Sequence, residues 1–271
     1  MRCQRMIPIT LLVSLAAATA AAQELPDHSA FTAVLGQHVR GPLVDYAALQ
    51  RDRGALDAYL ATLGRTDTAA LAAAPRDERL AFWINAYNAC ALRLVIDHYP
   101  IRKAGFPASV LRSLQGVPAN SIRQIADTWT REFCEVAGRA RALDEIEHEI
   151  LRPMGEARIH FAVNCASRSC PVLAPDAYSA AELEEQLDAA VRRFMAIPEH
   201  YHLEAGDQPV LRLNKVLDWY KDDFGGTGGV VQFFVSYARA DTAAILASGL
   251  VRVEYLDYDW TLNDTAVFGN R

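Results

Sequence analysis

The sequence predicts an α+β fold: a helix-rich single domain with a central buried helix packed on a small, mainly antiparallel sheet. Residues 77–99 are apolar on almost every face, which is typical of a helix enclosed by the rest of its domain. Short apolar or alternating segments, such as 210–213 and 251–255, have the length of strands. These strands do not alternate regularly with crossover helices, which argues against a doubly wound parallel sheet.

The amino terminus is typical of a secretory signal peptide. A cationic start precedes an apolar run from Ile7 to Ala18, and small residues follow at Ala20 and Ala22. We therefore predict a signal peptide over residues 1–22, cleaved after Ala22, and a single domain over residues 23–271. Because the apolar run is short for a membrane span, the mature protein is expected to be soluble, periplasmic or secreted, with no membrane span.

Charge and composition argue against several classes of partner. The chain has 271 residues, with 27 Lys and Arg against 33 Asp and Glu and a formal net charge of −6. No basic stripe stands in the sequence that would attract nucleic acid or an anionic membrane. We predict no cofactor and no metal, and an unidentified small molecule or peptide as the ligand.

Two asparagines stand on the long helix predicted over residues 77–99. Asn85 and Asn88 are three residues apart and therefore share a face. A buried carboxamide costs about 1 to 3 kcal/mol when it is unpaired, so both should have hydrogen-bond partners. They either tie down neighbouring backbone or serve a site, where one would orient a catalytic imidazole or line a pocket. Cys90, on the same helix, is interpreted as a small core residue.

A further helix is predicted over residues 143–152, with Pro153 at its end. Its His148-Glu149 pair would indicate a zinc protease only if a histidine stood at position 152, which is Arg152. The zinc-protease motif is therefore absent. His148 is interpreted as a solvated or capping residue, or alternatively as a catalytic base.

Residues 158–171 are the most informative part of the chain. The first half of this segment alternates between two sets of residues, which predicts a buried strand: Ile159, Phe161 and Val163 against His160, Ala162 and Asn164. From Cys165 onward the residues are small and turn-forming, which predicts a tight loop closed by Cys170 and Pro171. Such loops often hold functional side chains.

Four cysteines remain after removal of the signal peptide: Cys90, Cys134, Cys165 and Cys170. In an oxidising compartment they allow three complete pairings, and the sequence leaves the choice open. Cys165 and Cys170 have the shortest spacing. A disulfide between them would close a small ring and stabilise the loop by about 2 kcal/mol.

The last third of the chain carries weaker patterns. A helix is predicted over residues 179–195. His200 and His202 alternate on a predicted solvated strand, and two histidines without a third ligand do not predict a metal site. The glycine-rich segment 224–229 lacks the pattern of a phosphate-binding loop and is interpreted as a flexible linker. Residues 258–263 mix aromatic and turn-forming side chains and are expected to fold back on the core.

Five segments carry a family resemblance: 81–89, 143–152, 159–171, 217–220 and 258–263. Together they resemble the DUF547 domain family, whose function is unknown, over about residues 40–263. The resemblance implies that one domain accounts for all five segments. A helix-and-sheet core that supports a cysteine is also similar to the papain and transglutaminase-like superfamily. Those enzymes place the nucleophile at the start of the central helix, where this chain has residues 82–85.

Two functions agree with these patterns. The sequence favours a periplasmic binding or scaffold domain, in which a Cys165–Cys170 disulfide closes the loop and the buried asparagines are structural. The alternative is a cysteine-dependent hydrolase or acyltransferase that acts on an amide, thioester or peptide-like substrate. Both hypotheses stay open at this point, so the sequence does not decide whether the chain is an enzyme.

In the enzyme hypothesis, Cys165 is the nucleophile. A thiol needs a nearby imidazole, cation or helix N-terminus to lower its pKa. His160 is one candidate base, although an offset of five residues places it and Cys165 on opposite faces of a regular strand. His148, on the preceding helix, is the other candidate.

The remaining candidate residues would orient the imidazole, stabilise an oxyanion or bind the ligand. Asn85 or Asn88 would orient the imidazole, and backbone N–H groups near Ser167 and Ser169 would stabilise an oxyanion. The candidate binding residues are Asn88, Ser167, Arg168 and Ser169.

Overall fold

Helix α5, Arg76–His98, is the centre of the structure. The structure is a computed structural model that describes residues 25–102 and 105–268, and the signal peptide predicted over residues 1–22 lies outside them. Every residue from Leu80 to Ile96 except Arg93 is buried, so the predicted central buried helix is confirmed. Pro100 follows the helix and cannot continue it.

The first part of the chain wraps α5 with short helices. These are α1 (Ser29–His38), α2 (Tyr46–Arg51), α3 (Gly54–Arg65) and α4 (Thr68–Ala73), with a two-residue pairing of β1 (Val39–Arg40) and β2 (Leu43–Val44). Aspartates cap the N-termini of α2 and α4. The Asp45 side chain accepts a hydrogen bond from the Ala48 N–H, and the Asp67 side chain accepts one from the Ala70 N–H. Helices α2 and α3 pack directly on α5.

A disulfide joins α5 to an antiparallel hairpin. The hairpin consists of β3 (Cys134–Val136) and β4 (Arg139–Arg141), and it follows α6 (Ala108–Leu114) and a 3-10 turn (Ile122–Gln124). Cys90 is buried, as interpreted from the sequence, and it is bonded to Cys134. The two residues are 44 apart in sequence, so the cross-link stabilises the fold by about 4 kcal/mol in the chain-entropy model.

The segment before Cys165 is helical, so the predicted strand over residues 159–163 is wrong. A π-helix (Glu145–Leu151) and a 3-10 turn (Arg152–Met154) lead into α7 (Ile159–Ala162), and Val163 then becomes extended. All four residues of α7 are buried. An alternation of apolar residues cannot distinguish a strand from a helical turn that is buried on every side.

The last part of the chain forms a three-stranded sheet with helices. Strand β5 (Tyr201–Glu204) pairs antiparallel with β6 (Val210–Leu213), which pairs parallel with β7 (Arg252–Tyr255). The helices are α8 (Leu183–Met195), α9 (Val216–Trp219), α10 (Thr227–Val235), α11 (Ala240–Ala247) and α12 (Thr265–Phe268), and a 3-10 turn covers Lys221–Phe224. His200 precedes β5 and is buried against Phe194, so its predicted solvated position is wrong.

The glycine-rich segment is part of a compact turn, so the flexible-linker interpretation is wrong. Gly225 and Gly226 have φ angles of 84° and 87°, which other residues rarely adopt. A Cβ atom at Gly229 would lie 1.8 Å from the carbonyl oxygen of Phe224. The close approach packs the start of α10 against the Lys221–Phe224 turn and thereby holds Asp223 in place.

The domain contains two hydrophobic cores. The larger surrounds α5 and the early helices, and the smaller contains Phe161, Phe194 and Phe234. Helix α7 contributes to both, because Ile159 and Ala162 pack in the first and Phe161 packs in the second. The fold is thus a helix-rich α+β domain with small, mainly antiparallel sheets. Among the described residues, no helix has both the length and the apolar character needed to cross a membrane.

Candidate active site

A pocket with a volume of about 270 Å³ lies where the two cores meet. Its lining includes Tyr87 of α5, Glu147 of the π-helix, Val216 of α9 and Tyr258. Cys165 and His160 both line this pocket. The structure therefore brings together the predicted nucleophile and one of its two predicted bases.

The thiol of Cys165 is free and partly exposed. Its Sγ lies 2.8 Å from Cys170 Sγ, 3.1 Å from Ser167 Oγ and 3.2 Å from the hydroxyl of Tyr258. The hydrogen bond with Cys170 is the main cause that lowers the pKa of Cys165, and the bonds with Ser167 and Tyr258 lower it further. Donors around a sulfur stabilise the thiolate, which is the nucleophilic form.

Cys170 is the buried partner in this pair. Burial raises the pKa of Cys170 well above its usual range, so its S–H acts as the donor to Cys165. The backbone N–H of Cys165 donates to Cys170 Sγ at 2.8 Å. Both residues are free thiols, so the disulfide suggested for Cys165 and Cys170 is not formed here, and their oxidation stays a prediction.

Asparagine side chains hold the loop that carries the thiol. Asn88 donates to the Ala162 carbonyl at 3.0 Å and accepts from the Asn164 N–H at 2.8 Å. Asn164 in turn donates to the Pro171 carbonyl at 2.7 Å and accepts from the Ala166 N–H at 2.8 Å. Asn88 therefore fixes the entry to the loop through backbone bonds, and it does not line the pocket.

The loop also contains a strained residue. Ala166 has a φ of 61°, in the left-handed region, which costs about 1 to 3 kcal/mol for a residue other than glycine. The hydrogen bond from its N–H to Asn164 offsets part of this cost. Strained backbone of this kind is frequent beside reacting groups, where it fixes the direction of a side chain.

The far end of the loop is tied to the C-terminal segment. Arg168 N–H donates to the Thr261 carbonyl at 2.7 Å, and Ser169 N–H donates to the Asp259 carbonyl at 3.2 Å. Asn214 donates to the Ser169 carbonyl at 2.7 Å. The segment 258–263 thus folds back as predicted, but the Ser169 N–H is occupied, so the predicted oxyanion role of that group is wrong.

The side chains of Arg168 and Ser169 face away from the thiol. Both line a separate cavity, and the guanidinium of Arg168 lies 5.4 Å from the ring centroid of Phe268. The hydroxyl of Ser169 accepts from the Asp259 N–H at 2.9 Å. Of the candidate binding residues in the loop, Ser167 alone has its side chain beside Cys165, and it also lies 2.8 Å from the hydroxyl of Tyr258.

His160 is held by a carboxylate that the sequence did not indicate. Its Nε2 lies 2.7 Å from Asp223 Oδ2, and its ring stacks on Tyr220 with centroids 4.0 Å apart. Arg152 makes two further 2.7 Å bonds to Asp223. These bonds, with Arg152 first and His160 second, lower the pKa of Asp223 to about 2.

The imidazole of His160 is neutral at neutral pH with its Nδ1 free. Its side chain has no solvent exposure, and burial lowers its pKa despite the bond to Asp223. Because Asp223 is ionised and accepts the Nε2 proton, the lone pair remains on Nδ1. That atom has no hydrogen-bond partner, so the imidazole has one unused acceptor.

His148 and Asn85 lie outside the site. The side chain of His148 is 38% exposed, does not line the pocket, and lies 3.3 Å from an Arg152 nitrogen. Asn85 donates to the Tyr178 carbonyl at 2.7 Å and accepts from the Tyr178 N–H at 2.9 Å. The geometry therefore places neither the predicted alternative base nor the predicted orienting amide beside His160.

Asp223, Glu147, Tyr220 and Tyr258 are not among the residues that the sequence predicts for the site. Both tyrosines stand in segments that carry the family resemblance, but no spacing rule connects them to Cys165. Asp223 is one of two adjacent aspartates before the glycine-rich segment, and only those glycines indicate that this part of the chain is closely packed. Glu147 stands in the helix predicted over residues 143–152, and the structure buries it.

Comparison with known proteins identifies a family. Residues 71–195 match the model of a family described as a protein of unknown function, DUF547. The matched range contains α5, the π-helix, His160 and the loop of Cys165, whereas Asp223 and Tyr258 lie beyond it. No curated protein and no solved structure matches the chain significantly.

Proposed function

We propose that this chain, which belongs to the DUF547 family, is a cysteine-dependent hydrolase or acyltransferase. Its substrate is an amide, thioester or peptide-like molecule whose carbonyl is presented to Cys165. The free thiol carries the proposal, because it faces a pocket, its pKa is lowered, and three hydrogen-bonding groups contact its sulfur. A cysteine with a merely structural role has no need of these features.

The first half of the reaction is attack by sulfur. The thiolate of Cys165 forms a bond to the carbonyl carbon, and the oxygen takes the negative charge. Tyr258, whose pKa burial raises well above its usual range, remains protonated and can donate to charge that develops beside the sulfur. The loop around Cys165 is held at both ends, so the nucleophile is positioned before the substrate binds.

His160 is the proposed acid and base. Its Nδ1, which has no partner in this structure, accepts the thiol proton through one water and then gives it to the departing amine or thiol. Asp223 stabilises the imidazolium that forms between the two steps. Water or a second nucleophile then attacks the thioester, releases the acyl group and restores the thiol.

A non-catalytic binding or scaffold domain is the competing proposal. The aromatic side chains that line the pocket, among them Trp219 and Trp260, support ligand binding without chemistry. The 2.8 Å approach of the Cys165 and Cys170 sulfurs supports closure of the loop on oxidation. Export to the periplasm or the medium is proposed with either function, and the Cys90–Cys134 disulfide supports an oxidising compartment.

Trapping of an acyl-enzyme separates the two proposals. The full chain is incubated with an activated acetyl ester and with a short acyl thioester, and the adduct is located by peptide mass mapping. The thiol-enzyme proposal predicts an acyl group on Cys165 that turns over, and no adduct after Cys165→Ser. Acylation and turnover are expected to fall at least about tenfold after His160→Gln, whereas His148→Gln, outside the pocket, should leave both rates unchanged.

The competing proposal makes the opposite predictions. If neither reagent acylates Cys165 in the folded protein, or if turnover is the same in the wild type and in Cys165→Ser, the enzyme proposal is wrong. An equal effect of His148→Gln and His160→Gln would also contradict it, because only His160 lines the pocket.

A further inference from the structure

The pocket beside Cys165 has an aromatic wall. Trp129, Trp219, Tyr258 and Trp260 all line it. The ring centroids of Tyr258 lie 4.8 Å from Trp219 and 4.6 Å from Trp260, and Trp129 lies 6.4 Å from Trp260. Trp219 is 45% exposed. Large rings left open to solvent at the mouth of a pocket are suited to contact with a ligand.

Two carboxylates line the same pocket. Glu147 is buried, and its charge, after burial, raises the pKa of the neighbouring Tyr220. Asp144 stands one helical turn before Glu147. Burial raises the pKa of Asp144, the nearby charge of His148 lowers it, and the charge of Glu147 raises it further. A bound positive charge would offset the burial and the repulsion by Glu147.

No positively charged side chain balances these acids inside the pocket. No Lys or Arg is among the described residues that line it, and its imidazole, His160, is neutral at neutral pH. Two basic side chains lie just outside the lining. Arg152 is near Glu147 but is held by two bonds to Asp223, and His148 Nε2 lies 3.8 Å from Asp144 Oδ1. The lining therefore has an excess of negative charge in a cavity partly shielded from water, where charge interactions are strong.

The rings and an unused acceptor give independent support for a ligand. Arg123, which does not line the pocket, places its guanidinium 4.9 Å from the Trp260 centroid, so this ring already accepts a cation. His160, which lines the pocket, is buried and its Nδ1 atom has no partner. A buried polar atom without a partner indicates that a ligand or a reacting group completes the site.

We propose that the pocket recognises a substrate that carries a positively charged alkylammonium group close to the acyl group presented to Cys165. The charge lies against the rings of Trp219, Tyr258 and Trp260, with Asp144 and Glu147 as its counter-charges. The volume of about 270 Å³ admits one lysine-sized side chain rather than a large ligand. The inference deepens the proposed function, since it names the chemical class of the substrate of that same thiol.

Binding of a matched pair of ligands tests this recognition. Nα-acetyl-lysine amide and Nα-acetyl-norleucine amide have side chains of the same carbon length and differ in the ammonium group. Three of the four tryptophans of the chain line the pocket, so intrinsic fluorescence reports occupancy without any need for a reactive thiol. The lysine amide is expected to bind at least about tenfold more tightly than the norleucine amide in the unmodified protein.

Substitutions of acidic residues show which side chain causes the preference for the lysine amide. Glu147→Gln is expected to reduce the preference for the lysine amide about fivefold or more, and added salt should reduce it further. Glu149→Gln is the matched control, because Glu149 lies on the same π-helix but is exposed and does not line the pocket. It should leave the preference unchanged.

The outcomes separate this inference from the proposed function. Equal binding of the two amides, preference for norleucine, no binding of either, or an equal effect of Glu147→Gln and Glu149→Gln would overturn the cation proposal. A clear lysine preference in a protein whose Cys165 cannot be acylated would keep the cation site and overturn the enzyme proposal. Reactivity at Cys165 without a lysine preference would do the reverse.

Discussion

The two sides of the pocket are held by different means. On the thiol side, the amides of Asn88 and Asn164 bind backbone groups at both ends of a short loop. On the imidazole side, a carboxylate and a stacked ring hold His160 by its side chain. Each of the two amides uses both its donor and its acceptor on backbone groups, whereas the imidazole keeps one nitrogen free.

The two sides of the pocket therefore have different roles, one in positioning the sulfur and the other in proton transfer. The thiol side fixes where the sulfur lies, and it uses groups that do not titrate near neutral pH. The imidazole side contributes the group that can accept a proton. Changes on the thiol side should therefore act mainly through stability and position, while changes on the imidazole side should act mainly through rate.

The largest effect is expected on the imidazole side. Asp223→Asn removes the carboxylate that fixes the tautomer of His160, so the rate of acyl transfer should fall about a thousandfold or more. The fall should be accompanied by a changed pH–rate profile, because the charge that supports the imidazolium is lost. Asp223 acts here as a positioning residue.

Asp222→Asn is the control for this variant, because His160 and Arg152 bond to Asp223 and not to the neighbouring carboxylate, which is exposed. Turnover of the acyl thioester at several pH values is the measurement. A reduction in rate without any change of the pH profile would indicate a merely structural role for Asp223.

A matched pair of asparagines tests the thiol side. Asn85 and Asn88 each make two bonds to buried backbone, but only Asn88 binds the segment that enters the loop. Each change to alanine should lower the free energy of unfolding by about 2 to 4 kcal/mol, because two backbone groups lose their partner. Only Asn88→Ala should also slow alkylation of Cys165.

Urea unfolding and the alkylation rate of the folded protein provide the two measurements. An equal loss of alkylation rate in both variants would mean that the loop depends on overall stability and not on Asn88 itself.

The ion pair of Asp223 predicts a dependence of stability on pH. The folded pKa of about 2 lies below the unfolded value, so the stabilisation is complete above about pH 4 and is lost as the pH falls towards 2. The side chain is 24% exposed, and the shift corresponds to about 2 kcal/mol. The difference in unfolding free energy between the wild type and Asp223→Asn should shrink by this amount from pH 5 to pH 2. A constant difference over this range would contradict the ion pair.

The smallest effect is expected at Cys170. Its hydrogen bond is the main cause of the lowered pKa of Cys165, so Cys170→Ala should raise that pKa and slow alkylation at neutral pH by about tenfold. Cys170→Ser keeps a donor at this position and should retain most of the rate. Iodoacetamide kinetics with mass mapping distinguish the two variants. Equal rates in alanine, serine and wild-type proteins would show that Cys170 does not tune the thiol.

The fold class and the long helix could be predicted because their patterns are local and repeated. Every turn of α5 carries apolar residues, and a buried position leaves few alternatives for Asn85 and Asn88 other than backbone partners. The predicted strand over residues 159–163 is wrong because it also relied on a local pattern, the alternation of apolar residues. Burial on all sides of α7 removes the contrast between faces on which the pattern depends.

The site could be predicted only in part, because its members come from distant segments. Cys165 and His160 lie in one loop and the turn before it, and the sequence indicated both. Asp223 is 63 residues from His160, and Tyr258 is 93 residues from Cys165. Contacts of this separation depend on the packing of the second core, which leaves no local pattern in the sequence.

The pH dependence of alkylation at Cys165 tests the central claim most directly. The full chain is treated with iodoacetamide from pH 5 to pH 10 without reductant, and modification is measured at each cysteine by mass mapping. We expect Cys165 to be modified with a midpoint pH clearly below about 8.5, the pKa of an ordinary cysteine, and the buried Cys170 to react far more slowly. A midpoint at or above that value, or modification of Cys165 only after reduction, would contradict a free and activated thiol in the pocket.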